Sequence, residues 1–162
     1  MIVSEWESFF LAQVGASAAL TGLVFVALSI NLTPIMRSPL LVGRAGEALL
    51  VLVTPVLVGL AVLMPVDTDR ATGVACAIVA GIGWLAETRL LWRARAQSSD
   101  RPRREFQSRV VFAQTAMLPP IVGAFILIAG STSGIYWIAF GAATAIVLGI
   151  GDAWVLLVEI LR

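Results

Sequence analysis

Histidine and lysine are missing from this 162-residue chain, and cysteine occurs once. Without histidine there is no imidazole base, and without lysine there is no Ser–Lys nucleophile pair. One cysteine closes no intrachain disulfide and, with no histidine, builds no Cys/His zinc set. Charge is scarce too: Asp, Glu, Lys and Arg make up 13% of the chain, roughly half of the about 25% usual in soluble domains. All 11 cations are arginine, a usage that fits a GC-rich bacterial genome, and with 10 carboxylates they leave a net charge of +1. That balance argues against a nucleic-acid binder. What is abundant is hydrocarbon: 59% of residues are hydrophobic and the mean hydropathy is +0.96, which excludes a water-soluble globule.

A helix needs about 20 apolar residues to cross a bilayer. Five stretches qualify, at 9–32, 45–66, 71–92, 109–130 and 134–158. No period-2 alternation suggests a barrel, so the fold class is an all-α integral membrane protein of five spans forming a single membrane domain. The first eight residues hold Glu5 and Glu7 and no arginine, unlike the basic start of a cleaved signal, so the first span reads as retained. Ten arginines fall on one side of this layout and only Arg70 on the other. The positive-inside rule then puts the N-terminus outside, the C-terminus in the cytoplasm and the basic loop 93–108 inside a bacterial plasma membrane. Trp6, Trp92, Tyr136 and Trp137 fall where interfacial rings anchor spans.

The four later spans read as two hairpins. Ala77-Ile78-Val79-Ala80-Gly81-Ile82-Gly83 matches Ala145-Ile146-Val147-Leu148-Gly149-Ile150-Gly151 at six of seven positions, and Pro55-xxx-Gly59 matches Pro119-xxx-Gly123. Two readings are open: a parallel duplication about an axis normal to the membrane, or a shared packing solution in a small alphabet. Pro55, Pro119 and Pro120 fall near mid-span and should kink their helices. Gly81, Gly83, Gly149 and Gly151 offer close helix approach, or broken backbone lining a site.

The first span has two contrasting sides. Gln13, Ser17, Thr21 and Asn31 share one stripe at helical spacing; Gly15 and Gly22 lie on the opposite, small-residue side. Amides and hydroxyls facing lipid are costly. One stripe is therefore expected to pack on the hairpins while the other meets a second copy or a wet axis. The alternative is that the hydroxyls bond their own helix one turn back.

Arg44, Glu47, Glu87, Arg89, Asp152 and Glu159 all map to the cytoplasmic third. Ionisable groups inside a span mark pathways or inter-helix ion pairs. Asp152 is the deepest, with Arg89 or Arg44 as its expected partner. None lies at the midplane, where a proton-coupled pump usually needs one. Gly149-Ile150-Gly151-Asp152 resembles the GxGD motif of intramembrane aspartyl proteases. That chemistry requires a second aspartate in another helix, and Asp67, Asp69 and Asp100 all fall in loops. Cys76, among apolar neighbours, reads as a small core residue. No catalytic residue, cofactor or metal is expected.

The runs Trp6-Glu7-Ser8-Phe9-Phe10, GASAALTGLVFVALS from Gly15 to Ser29 and GRAGEAL from Gly43 to Leu49 resemble a group of small uncharacterised multi-spanning membrane proteins of GC-rich bacteria. Some of these carry a transferred label of FtsH protease modulator. The resemblance covers the first third of the chain and implies no catalytic or ligand residues.

Together these features describe a non-enzymatic, homo-oligomeric membrane protein, read first as a conduit for ions or a small solute. In that reading the Gln13–Ser17–Thr21 stripe faces a wet path and Glu47 and Asp152 shape the inner mouth. The alternative is an accessory or regulatory subunit that docks on a larger membrane complex through the small face of the first span. A GxGD-type protease ranks behind both. The expected partners are the lipid bilayer and either itself or that larger complex, with no nucleic acid.

Overall fold

Backbone polar groups in hydrocarbon must bond within their own segment, and this chain satisfies them as helix. The computed structural model describes residues 3–97 and 103–160. Its helices are α1 (Val3–Ile30), α2 (Leu32–Met36), α3 (Pro39–Leu63), α4 (Asp69–Gln97), α5 (Arg103–Ile128) and α6 (Gly134–Ile160). No strand occurs among the described residues. Five of the helices are long and apolar enough to cross a membrane.

Local chemistry sets the breaks. Asn31 leaves helical geometry between α1 and α2, and α3 begins on Pro39 after an extended Ser38, the position where a missing N–H costs nothing. Met64 is extended ahead of Pro65, as proline imposes on its predecessor. The Thr68 hydroxyl accepts the N–H of Ala71 at 3.2 Å at the start of α4. Gly130, at φ 91°, closes α5; its N–H reaches Leu127 O at 2.9 Å and the Ser131 N–H reaches Ile126 O at 3.1 Å. This is a Schellman ending, which needs a left-handed residue.

The helices overrun the expected spans. Residues expected to loop at 93–97 continue α4, and Arg103 already opens α5, because Arg and Ala favour helix once past the hydrocarbon. The rest of the expected loop, 98–102, lies outside the described residues. Helix α3 continues through Pro55, and α5 through Pro119 and Pro120.

Helix α3 packs on α4, α4 on α5, α5 on α6, and α6 returns to α3. The four form a ring, with α1 laid on the outside of α3 and only lightly against α6. The largest core cluster joins Phe10 of α1 to Val58 and Val62, Cys76 and Ala80, Leu127, and Ile135 and Ile138. Cys76 is fully buried there. At that end Trp6 meets Tyr136 edge-on at 4.8 Å. At the opposite, arginine-rich end Trp92 meets Phe106 edge-on at 6.1 Å, with Arg95 over the Phe106 ring.

Every main helix contact is made at a glycine. A methyl group on Gly59 would meet Gln13 and Val14 of α1; on Gly83, Thr54 Cγ2 of α3 at 2.8 Å; on Gly73, the Ala124 carbonyl of α5 at 2.9 Å. Gly123 and Gly134 would collide with each other's carbonyls, Gly141 with Pro120, and Gly149 with Leu52. Lipid tails are as apolar as leucine, so helix association rests on such close approach. Of the six glycines expected to pack, only Gly83 and Gly149 do so. Gly15, Gly22, Gly81 and Gly151 meet nothing within 4 Å, because they sit on the bundle's outward faces. The matched glycines of the two hairpins therefore have different surroundings, Gly83 packing where Gly151 does not.

Gly123→Ala or Gly134→Ala should lower stability by about 1–3 kcal/mol, the usual cost of overpacking. Gly15→Ala should leave it within about 0.5 kcal/mol. Thermal unfolding of the three variants in detergent checks this, and equal melting temperatures would contradict it.

Candidate functional site

Two polar groupings lie within the spans. The first belongs to α1. The Gln13 amide Nε2 donates to Ser17 Oγ at 2.9 Å and to the Pro55 carbonyl of α3 at 3.1 Å. Gln13 is buried and Ser17 is 0% exposed. Gly59, four residues beyond Pro55, has no side chain, and that leaves the space the amide fills. Thr21 Oγ1 donates to Ser17 O at 2.7 Å, and Asn31 Nδ2 to Ala27 O at 2.9 Å. The expectation that this stripe faces a wet path is corrected here. Gln13 and Ser17 close onto α3 of the same chain, and Thr21 and Asn31 satisfy themselves on the preceding turn.

The second grouping lies at the arginine end, and each helix of the ring contributes at least one member. Glu47 of α3 is 6% exposed and accepts a charge-assisted bond from Arg109 Nη2 of α5. Helices α3 and α5 are diagonal in the ring and touch little, so this pair spans its middle. Asp152 of α6 lies between them on the open side, within electrostatic reach of Arg109 and Arg44. Glu87 of α4 closes the other side at 2% exposure, within reach of Glu47, Asp152 and Arg109. One guanidinium thus acts on three carboxylates from three different helices. Glu47 Oε1 and Glu87 Oε2 are buried and have no hydrogen-bond partner.

Arg44, Glu47, Ser108, Arg109, Phe112, Asp152 and Val155 enclose a pocket of about 190 Å³. Its rim is exposed at Ser108, Phe112 and Asp152, and its floor is the buried Glu47. Further along the ring, between Thr54, Pro55, Met117, Pro120 and Gly141, only about 10 Å³ remains, at or below the roughly 10–15 Å³ that one water needs.

The expected residues divide accordingly. Arg44, Glu47 and Asp152 meet at the pocket, and Glu87 lies behind it. Arg89, expected as a partner of Asp152, is exposed on α4, which faces α6 across the ring rather than packing on it. The side chain of Glu159 lies outside the described residues. Arg109, which supplies the central cation, opens the expected span 109–130 and is not among the residues expected at the site. Its signal was its position three residues inside the apolar span that begins at Phe106. A second unforeseen link is Gln114 of α5, whose Oε1 accepts from Trp84 Nε1 of α4 at 2.7 Å.

No family model, curated protein or solved structure matches this chain.

Breaking a buried ion pair from one side strands the other charge, whereas replacing both partners with apolar groups is often tolerated. Arg109→Met should cost about 2–3 kcal/mol, under the roughly 3–5 kcal/mol of fully buried pairs because its side chain is 22% exposed. Adding Glu47→Leu should recover most of the loss. A double-mutant cycle on detergent unfolding measures the coupling, and a value near zero would show that the pair contributes nothing.

Proposed function

We propose that this chain is a non-enzymatic plasma-membrane protein whose pocket among Arg44, Glu47, Arg109 and Asp152 is the inner mouth of a conduit for a small polar or charged solute. The orientation follows the arginine distribution, with the N-terminus outside and the pocket facing the cytoplasm. The observation that carries the reading is the Glu47–Arg109 pair, set across the ring's diagonal beside an open pocket. Ionisable groups held inside a span are expensive and are typical of pathways for ions and solutes. The constriction at Pro55 and Pro120 leaves the path shut in this conformation. Opening would need α3 and α5 to part at the level where proline has already removed a backbone hydrogen bond from each helix.

A second reading is favoured by the outward side of α1. Ala12, Gly15, Ala16, Ala19 and Gly22 are exposed at helical spacing, opposite Gln13 and Ser17. Such a small-xxx-small face suits a close crossing with another transmembrane helix. The partner is a second copy of the chain in a homo-oligomeric conduit, or a larger complex to which this protein is an accessory subunit.

Proteoliposomes containing the purified protein should pass a small solute down its gradient, and Arg109→Gln should alter the rate. Absence of flux for every ion and solute tried would overturn the conduit. Purification in mild detergent separates the two uses of α1: a mass that is a multiple of the chain supports the homo-oligomer, and a stoichiometric foreign protein supports the accessory role.

A further inference from the structure

The lining of the pocket is neutral but strongly polarised: two guanidinium groups, Arg44 and Arg109, and two carboxylates, Glu47 and Asp152. From this we infer that it takes a small zwitterion, a molecule carrying an ammonium and an acidic group on a short linker. The inference rests on the reading of the pocket as a solute site and names the class of solute. In a medium of low dielectric an uncompensated charge is the dominant cost of binding. A simple anion would bring its charge against Glu47 and Asp152, and a simple cation against Arg44 and Arg109. A molecule with both poles and no net charge meets all four groups with favourable sign.

The hydrogen-bonding capacity agrees. Glu47 uses one oxygen on Arg109, while Oε1 is buried and has no donor. A buried acceptor of this kind calls for a donor, and an ammonium offers three donors and no acceptor. Guanidinium forks suit a carboxylate or a phosphate. A metal ion fits poorly, because the described residues contain no group of three or more His, Cys, Asp or Glu placed to hold one. A volume of about 190 Å³, where one water needs about 10–15 Å³, admits a small solute of several heavy atoms.

The same chemistry has two sources. The site opens at its exposed rim, Ser108, Phe112 and Asp152. Arg44 and Arg109 lie three residues inside the spans that begin at Leu41 and Phe106, about 4.5 Å at the helical rise. That is the level of the headgroup boundary. A soluble amino acid could enter from water, and the ethanolamine phosphodiester of an aminophospholipid could enter from the side.

The test uses the full-length protein. Calorimetric titration in a neutral maltoside compares L-alanine and β-alanine with ethylammonium and propionate. Native mass spectrometry from nanodiscs compares retention of phosphatidylethanolamine with phosphatidylglycerol and phosphatidylcholine, whose quaternary ammonium has no N–H. The expected result is binding of a soluble zwitterion, or selective retention of phosphatidylethanolamine. Asp152→Asn or Arg44→Gln should weaken it about tenfold or more, the usual effect of deleting a charged hydrogen-bond partner. Arg93→Gln, exposed and outside the pocket, should leave it unchanged. Asp152 is exposed, so its variant keeps the test usable if changes at Glu47 prevent folding. Binding of ethylammonium or propionate as tightly as the zwitterions, sensitive to the same variants, overturns the inference and leaves the solute mouth standing. Retention of phosphatidylethanolamine with no soluble ligand supports the inference and counts against the conduit. No binding of any probe overturns both.

Discussion

Close helix approach at glycine is the constraint on which this bundle depends. In water, apolar faces are driven together by the solvent; in lipid that drive is absent, and what remains is close packing and polar contacts between helices. Gly59, Gly83, Gly73, Gly123 with Gly134, and Gly149 each sit at a different helix contact. Their missing side chains set how near the helices come. Polar links then fix which helix sits where. Gln13 ties α1 to the Pro55 carbonyl, and Trp84 ties α4 to Gln114. In both links an amide side chain finds its partner on a neighbouring helix rather than in lipid.

The charged layer obeys the same economy. Close crossings bring α3, α4, α5 and α6 near enough that one arginine pairs with Glu47 and acts electrostatically on Glu87 and Asp152. The layer sits at the end where long side chains can reach toward the interface, and its open side forms the pocket. At the middle of the ring the same close packing leaves almost no space. A pocket at one end and tight packing beyond it both follow from how closely these four helices approach.

The relation between sequence and site is uneven for physical reasons. The presence of five spans was legible because hydrocarbon thickness imposes a length on every apolar run. Helix ends were less legible: Arg93 and Arg95 read as loop but continue α4, since nothing in their chemistry ends a helix. Gly15 and Gly83 look equivalent in a string of apolar residues. Only the rotation of each helix in the bundle gives Gly83 a neighbour and leaves Gly15 without one. Gln13 and Ser17 need polar company inside a span, and the company is α3 of their own chain. Arg109 was counted with its basic neighbours because charge alone does not distinguish an arginine that marks topology from one that reaches inward.

By itself the amino-acid sequence determined that the chain is helical and suited to a membrane, that its arginines gather toward one end, and that ionisable groups enter its spans. Those properties follow from composition and period, which are local. Tertiary structure decided which glycines touch, that the polar stripe of α1 turns inward, and that Glu47 meets Arg109 across the ring with Asp152 and Arg44 beside them. These depend on the register and rotation of whole helices against one another, set by many weak contacts summed over distant parts of the chain.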